Sequence, residues 1–382
     1  MKKSIILMAV AAFAMVSCNN DEVLDLQKDE ININVVGSNG SRASEIYSAI
    51  NLHKEFYLSA LYQDGETTKA YIPQDLIAYE DGKWVNKSDT RYWPQDENLS
   101  LDFIASNVKY NLGNQVGIWG AQIDFTPATN VREQVDLLYA VTKGQTRKDN
   151  AISGVNLNFR HALSQIVFNA TVTNKNIKVV IKDITLANIA KMGQFKFGLS
   201  TQGSTEEQYV RESMGADNYS SIEKPISIYV PAIGGKVNTQ AYNVDFEDVT
   251  MEGVSSSDLT NNNADLALML LPHTNVWGDT DKSDKSTYAD SGKPYIIVNC
   301  EMYNIGEKHV YDENGTPTRV KEYVPIHTGD YLIPLDVEWN TGVKYLYTLA
   351  FGGENMLPTM KYSVTVDQWY FAAAVDNTIE VK

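Results

Sequence analysis

Few residues in this 382-residue chain stand where they could do chemistry, and the clearest is Cys18. It follows Met15-Val16-Ser17, with a small residue just before the thiol. Lys2 and Lys3 form a positive n-region, and Ser4 to Ala14 form a short apolar stretch. That order is the grammar of a bacterial signal peptide. A cysteine at its end suits the lipoprotein variant, in which the thiol takes a lipid and becomes the new N-terminus. The other reading is plain secretion with Cys18 incidental. The apolar stretch is too short to span a bilayer, which takes about 20 residues. A second reactive position is the bond between Arg42 and Ala43. It follows Gly37-Ser38-Asn39-Gly40-Ser41, an accessible loop of the kind in which proteolysis concentrates.

Catalytic constellations are poor. The chain has no HExxH, GxSxG, Walker A or paired CxxC motif. His53, His161, His273, His309 and His327 are scattered without metal-ligand spacing. His161 is expected to pack or cap at a strand end or short turn. Cys300, inside Ile296-Ile297-Val298-Asn299-Cys300, reads as a small core hydrophobe. Asp279-Thr280-Asp281-Lys282-Ser283-Asp284 alternates acids as some calcium loops do, but it lacks the sixth-position glycine and the twelfth-position glutamate. It is read as a solvated loop within 279–290. No catalytic, cofactor-binding or metal residue is assigned. Of the six tryptophans, Trp277 beside Gly278 is the one expected to be most exposed, as a sugar-stacking platform would be.

Composition narrows the class. There are 32 Lys+Arg against 48 Asp+Glu, a formal net charge of −16. Nucleic-acid binding needs clustered cations, so no nucleic-acid partner is expected. The two cysteines leave no internal disulfide if Cys18 is lipidated, so core burial must supply stability.

The elements that must position these residues read as strands. Residues 19–30 form an acidic tether. Ile31, Ile33 and Val35 then alternate with Asn32 and Asn34, which is the period of a strand with one apolar face. Similar runs recur from Glu55 to Trp369, with Asp81-Gly82 as a hairpin signal. Helical periodicity is scarce; the best short candidate surrounds Leu163. Glu252 to Asn263 and Gly278 to Gly292 look like exposed loops. A polar stretch from Gly198 to Tyr219 suggests a domain border near residue 203. The resulting division is a signal peptide at 1–17, a tether with a first strand at 18–42, and two β-sandwich domains at 43–203 and 204–382. At the C-terminus Ile379 and Val381 alternate with polar residues. On the residues alone, 31–36 reads as a permanent edge strand and 376–382 as a frayed terminus.

Four segments resemble a known family. They are Tyr92-Trp93-Pro94 with Leu101-Asp102-Phe103-Ile104-Ala105; Asp136-Leu137-Leu138-Tyr139-Ala140; Leu157-Asn158-Phe159-Arg160-His161-Ala162-Leu163-Ser164-Gln165-Ile166; and Gly329-Asp330-Tyr331-Leu332-Ile333-Pro334 through Val366-Asp367-Gln368-Trp369. The chain resembles the fimbrillin-like surface lipoproteins of Bacteroidales, subunits of protease-assembled (type V) pili. The resemblance implies an all-β fold of two tandem Greek-key, transthyretin-like sandwiches. It implies export to the outer membrane as a lipoprotein on Cys18 and a cut by an arginine-specific protease between Arg42 and Ala43. The strand carrying Ile31, Ile33 and Val35 would then leave. A neighbour's donor strand would replace it, thought to come from a C-terminus such as the one carrying Ile379 and Val381. Partners are then other pilin subunits, and the site of action is a surface fimbrium that supports adhesion. Asp21 and Glu22 resemble acidic surface-export signals of such bacteria. Two alternatives stay open: an anchor or tip subunit that caps the fibre, and a monomeric surface glycan-binding lipoprotein.

Overall fold

The structure is a computed structural model that describes residues 29–36, 55–112, 121–197, 226–229, 232–233, 236–278, 285–352, 359–368 and 378–380. In chain order it carries β1 (Ile33–Val36), β2 (Glu55–Asp64), β3 (Thr67–Glu80), β4 (Lys83–Asn86), β5 (Leu101–Ser106), β6 (Gln122–Phe125) and β7 (Leu138–Gln145). A four-residue helix, α1 (Arg147–Asn150), precedes β8 (Val155–Asn158), β9 (Arg160–His161), β10 (Ser164–Val172), β11 (Ile177–Ala190), β12 (Gly193–Phe197) and β13 (Ile226–Tyr229). Next come β14 (Ala232–Ile233), β15 (Lys236–Val237), β16 (Thr239–Asn243), β17 (Val249–Glu252), β18 (Ser255–Asp258), β19 (Leu268–Leu270) and β20 (Thr274–Asn275). The last are β21 (Tyr295–Tyr311), β22 (Pro317–Pro334), β23 (Val337–Glu338), β24 (Val343–Gly352), β25 (Thr359–Gln368) and β26 (Thr378–Glu380). The chain is all β, as its alternation implies.

The N-terminal half is built around the sheet β4-β3-β2-β5-β7-β9. Its inner strands are apolar on both faces, so both must be covered. One face carries Phe56, Leu58, Phe103 and Leu138 and packs against the two-stranded layer β1-β8. The other carries Leu61, Ile104 and Tyr139 and packs against Phe195 and Phe197 of β12, in the layer β13-β12-β6. The Asp81-Gly82 turn closes the β3–β4 hairpin as expected. Both residues have positive φ, 49° and 86°, which suits the twist of a two-residue hairpin.

The C-terminal half is two sheets around one core. One has the order β18-β10-β24-β25-β26, with β19 also on β10; the other is β16-β11-β21-β22, with β17 also on β11. Ile166 and Phe168 of β10 meet Val179, Ile181 and Ile184 of β11 in that core. The apolar phase of β11 slips by one residue between Ile181 and Ile184. A bulge at that point keeps both side chains inside, as the register against β21 jumps between Ile181 and Asp183.

Several expectations meet a different structure. The hydrogen-bonded sheets cross position 203: β10 and β11 pair with strands of the C-terminal half, whereas β13 pairs back with β12 of the N-terminal half. The segment around Leu163 is no helix; Leu163 is buried between β9 and β10. Residues 252–263 are not a plain exposed loop, because β18 pairs with β10 and both Leu259 and Thr260 are buried. Trp277 is buried, not exposed: its Nε1 donates to the Pro294 carbonyl at 2.6 Å and its ring tilts onto Tyr288 at 4.6 Å between centroids. A Trp with a satisfied N–H is a core residue like any other.

Candidate functional site

The site singled out by sequence is the first strand, half of a two-stranded layer. Among the described residues β1 has one hydrogen-bonded strand neighbour, β8, and runs parallel to it with Ile33 opposite Val155 and Val35 opposite Leu157. Parallel pairing allows the two strands to share one face. Ile33 and Val35 are buried against Phe56, Leu58 and Phe159, and Ile31 packs half-buried at the margin of that cluster. Two buried β-branched or branched aliphatic side chains contribute about 3–6 kcal/mol relative to exposure. For comparison, a millimolar dissociation constant corresponds to about 4 kcal/mol. Without a covalent link, hydrophobic burial of that size holds a short strand only weakly in dilute solution. Among the described residues, removing β1 would leave β8 without a strand partner and open an apolar groove over Phe56 and Phe159.

A polar clasp adds to the apolar contact. At the strand's start, Asp29 Oδ2 accepts from Arg147 Nε at 2.7 Å, and the Asp29 carbonyl accepts from Trp93 N at 2.9 Å. Ile31 N donates to the Arg91 carbonyl at 2.8 Å. Arg91 is itself fixed: its Nε and Nη2 reach the two oxygens of buried Asp75 at 2.7 and 2.9 Å, and Asn86 Nδ2 also donates to Asp75 at 2.7 Å. Burial pushes the Asp75 carboxyl up, but the hydrogen bonds from Arg91 and Asn86 outweigh it and leave its pKa below the ordinary carboxylate value. Further along, Val155 N donates to the Asn32 carbonyl at 2.8 Å. Asn34 Nδ2 donates to the Ser153 carbonyl at 2.7 Å and to Asn156 Oδ1 at 3.2 Å. Gly154 lies directly beneath. With φ of +76°, its missing Cβ would stand 2.9 Å from Asn34 Nδ2 and 3.1 Å from the Asn32 carbonyl oxygen. Only glycine lets the strand sit this close.

The proposed donor residues are elsewhere. β26, which contains Ile379, lies antiparallel on the edge of β25, with Ile379 opposite Val364. It therefore belongs to the sheet of the C-terminal half and is not brought to the β1 groove. Cys18, Arg42, Ala43 and Val381 lie outside the described residues, as do Asp279 to Asp284 of the acidic segment. Gly154, Asn34, Arg147 and Asp75 were not singled out from sequence. The available signal is the pair Asn32 and Asn34, alternating with Ile31, Ile33 and Val35.

The other chemical candidates are structural. His161 Nδ1 meets Asp136 Oδ2 in a buried pair, and Asn107 Nδ2 donates to the Asp136 carbonyl at 2.7 Å. This ties β7 to β9, so His161 packs at a strand end. Burial and the nearby Asp330 carboxylate push the Cys300 thiol up to about 12, far from a reactive thiolate. Among the described residues no group of three or more His, Cys, Asp or Glu side chains could hold a metal ion. No helix among them is long and apolar enough to cross a membrane.

Comparison with known proteins decides the family. A model of fimbrillin-like proteins matches residues 41–369. The chain belongs to the fimbrillin-like family. A fimbrial protein from Bacteroides vulgatus, solved by crystallography, is similar in structure at 14% identity, with a TM-score of 0.53; the match covers 89% of this chain and 99% of that one. The tip fimbrial protein Mfa3 from Porphyromonas gingivalis matches at 8% identity over 83% of this chain and 94% of that one, with a TM-score of 0.33. No curated protein matches the sequence. Fimbrillin-like membership carries a structural role in a surface fimbrium, with other pilin subunits as partners. The family-matched span starts at residue 41, so β1 of this fimbrillin-like chain lies outside it.

Proposed function

We propose that this chain is a fimbrial subunit carried out of the cytoplasm as a lipoprotein on Cys18, cut between Arg42 and Ala43, and assembled by exchange of β1 for a strand from another subunit. The observation that carries the reading is the attachment of β1 among the described residues: one strand neighbour, the buried side chains of Ile33 and Val35, and a short polar clasp. The start of the family-matched span beside Arg42 supports the same division. Cutting the chain converts an intramolecular contact into a bimolecular one. A tether holds its segment at an effective concentration of about millimolar, and the cut removes that advantage. The emptied groove offers β8 and apolar surface, which together form a template for strand addition. Repeated head-to-tail contacts of this type give an open fibre. An arginine-specific protease and the outer membrane, reached through the lipid, are the further partners of this reading.

The test is digestion of the full chain with an arginine-specific protease, followed by intact mass and size-exclusion chromatography, beside an Arg42→Ala variant. The expected result is a cut at Arg42, loss of residues 18–42 and appearance of oligomers, with the variant staying uncut there and monomeric. A cut chain that stays a stable monomer would refute assembly by strand exchange among copies of this subunit. The capping-subunit reading then takes its place.

A further inference from the structure

We infer that the β1 groove selects an incoming strand with a side-chain hydrogen-bond donor between its two buried apolar residues, and that this chain's own C-terminal tail is a poor occupant. The inference rests on the exchange reading above and names the partner that reading leaves open. Between the buried Ile33 and Val35 stands Asn34, and its Nδ2 satisfies the Ser153 carbonyl at 2.7 Å and Asn156 Oδ1 at 3.2 Å. The Ser153 carbonyl is an obligate acceptor, so the groove favours an N–H or O–H at this position, whereas the exposed Asn156 amide can turn to accept or to donate. The position of that carbonyl is set by the backbone. Ser153 and Gly154 follow α1 in a tight turn, where Gly154 N donates to the Asn150 carbonyl at 2.9 Å. Gly154 also lets the occupant's backbone approach until Val155 N reaches the carbonyl of the residue at the Asn32 position. A one-residue slip would turn the apolar pair out to solvent, so register leaves no second way to present the middle residue.

The tail fails this requirement. Laid on the same register, Ile379 takes the place of Ile33 and Val381 that of Val35, which puts Glu380 where Asn34 stands. A carboxylate is acceptor-only at neutral pH. It cannot donate to the Ser153 carbonyl, and it adds a negative charge beside that oxygen. Losing the bond to the Ser153 carbonyl and placing a charge beside that oxygen costs roughly tenfold in affinity, equivalent to about 1.4 kcal/mol. The better occupant is a strand from a different subunit, patterned apolar–Asn–apolar or with another donor in the middle. Copies of this chain would then join one another through their own tails about tenfold less tightly than they take such a strand.

Peptide binding tests this on the full chain cut once after Arg42. Once the N-terminal fragment has left, binding of three peptides to the emptied groove is followed by native mass: residues 29–36, the tail 376–382, and the tail carrying Glu380→Asn. The expected result is that the first and third bind at about tenfold lower concentration than the natural tail. Equal potency of the two tail peptides would overturn the selection while leaving strand exchange intact. If no peptide binds, strand exchange itself fails. The Asn34 contact is then judged on the uncut chain, where Asn34→Asp keeps the shape and removes the donor. Backbone hydrogen exchange in β1 should accelerate about tenfold in that variant, and an unchanged rate would overturn the selection.

Discussion

β1 has four residues and β10 nine, both with alternating apolar positions, yet the molecule holds them in different ways. Among the described residues β1 has a single partner strand, over four register pairs, and buries Ile33 and Val35. β10 lies inside its sheet, paired in parallel with β24 over eight register pairs and flanked on its other edge by β18 and β19. Its Ile166, Phe168, Ala170 and Val172 are all fully buried. The difference teaches what makes a strand separable. Alternation decides that a segment forms a strand, whereas the number of hydrogen-bonded edges and buried side chains decides how firmly it is held. A strand at one edge with a small apolar footprint can open alone; one between two neighbours opens only with its core.

Mutations should widen or erase that contrast, and the largest effect belongs to β10. Phe168→Ala removes a ring stacked on Tyr347 at 5.6 Å between centroids and should cost about 3–5 kcal/mol. Denaturant unfolding would show it as a lower midpoint for the C-terminal half. Ile33→Ala should cost about 2–4 kcal/mol locally, because β1 can partly readjust at its open edge. Hydrogen exchange should then speed up in β1 and β8 and stay unchanged in β10 and β24. An effect spreading to both halves would contradict the contrast.

Two pH effects follow. The Asp75 carboxyl is held below its ordinary value of 3.8, so its contribution is complete above that pH and is lost as the pH falls through the folded-state value. Acid below about pH 4 should therefore loosen the Arg91 segment and β1 with it, and Asp75→Asn should remove that pH dependence. His273 acts on the other half. Burial lowers its pKa from 6.5, against a hydrogen bond from its ring to the Leu271 carbonyl that acts the other way. The folded state thus prefers the neutral ring, so stability is whole above pH 6.5 and declines below it. Melting curves of the C-terminal half should show this, and His273→Phe should flatten it. The smallest effect belongs to the exposed Lys321–Glu252 pair between β22 and β17. Lys321→Ala should leave the melting temperature unchanged, as most surface ion pairs contribute nothing measurable.

Much of the fold was legible because its information is local. Asp81-Gly82 announced its hairpin, and the alternation of Ile177, Val179 and Ile181 announced β11. What local pattern could not show was pairing across long separations. β10 pairs with β24, almost 180 positions away, and that pairing places β10 in the C-terminal half, though it precedes the polar stretch taken as a border. The site was legible in its apolar part, Ile33 and Val35, because burial leaves a period-2 trace. Its polar part was not. Asn34 meets Ser153 and Gly154 only through the fold, and a glycine chosen for close approach looks in sequence like any turn glycine. The burial of Trp277 is hidden for a similar reason: the Pro294 carbonyl that satisfies its N–H is 17 positions away, beyond an acidic segment that suggests solvent.

Hydrogen exchange on the intact, uncut chain shows whether β1 opens independently of the rest of the molecule. Amides of β1 and β8 should exchange orders of magnitude faster than those of β10 and β24, and should do so without unfolding of the central N-terminal sheet. Exchange of β1 at the same rate as β10, in one cooperative event, would contradict it.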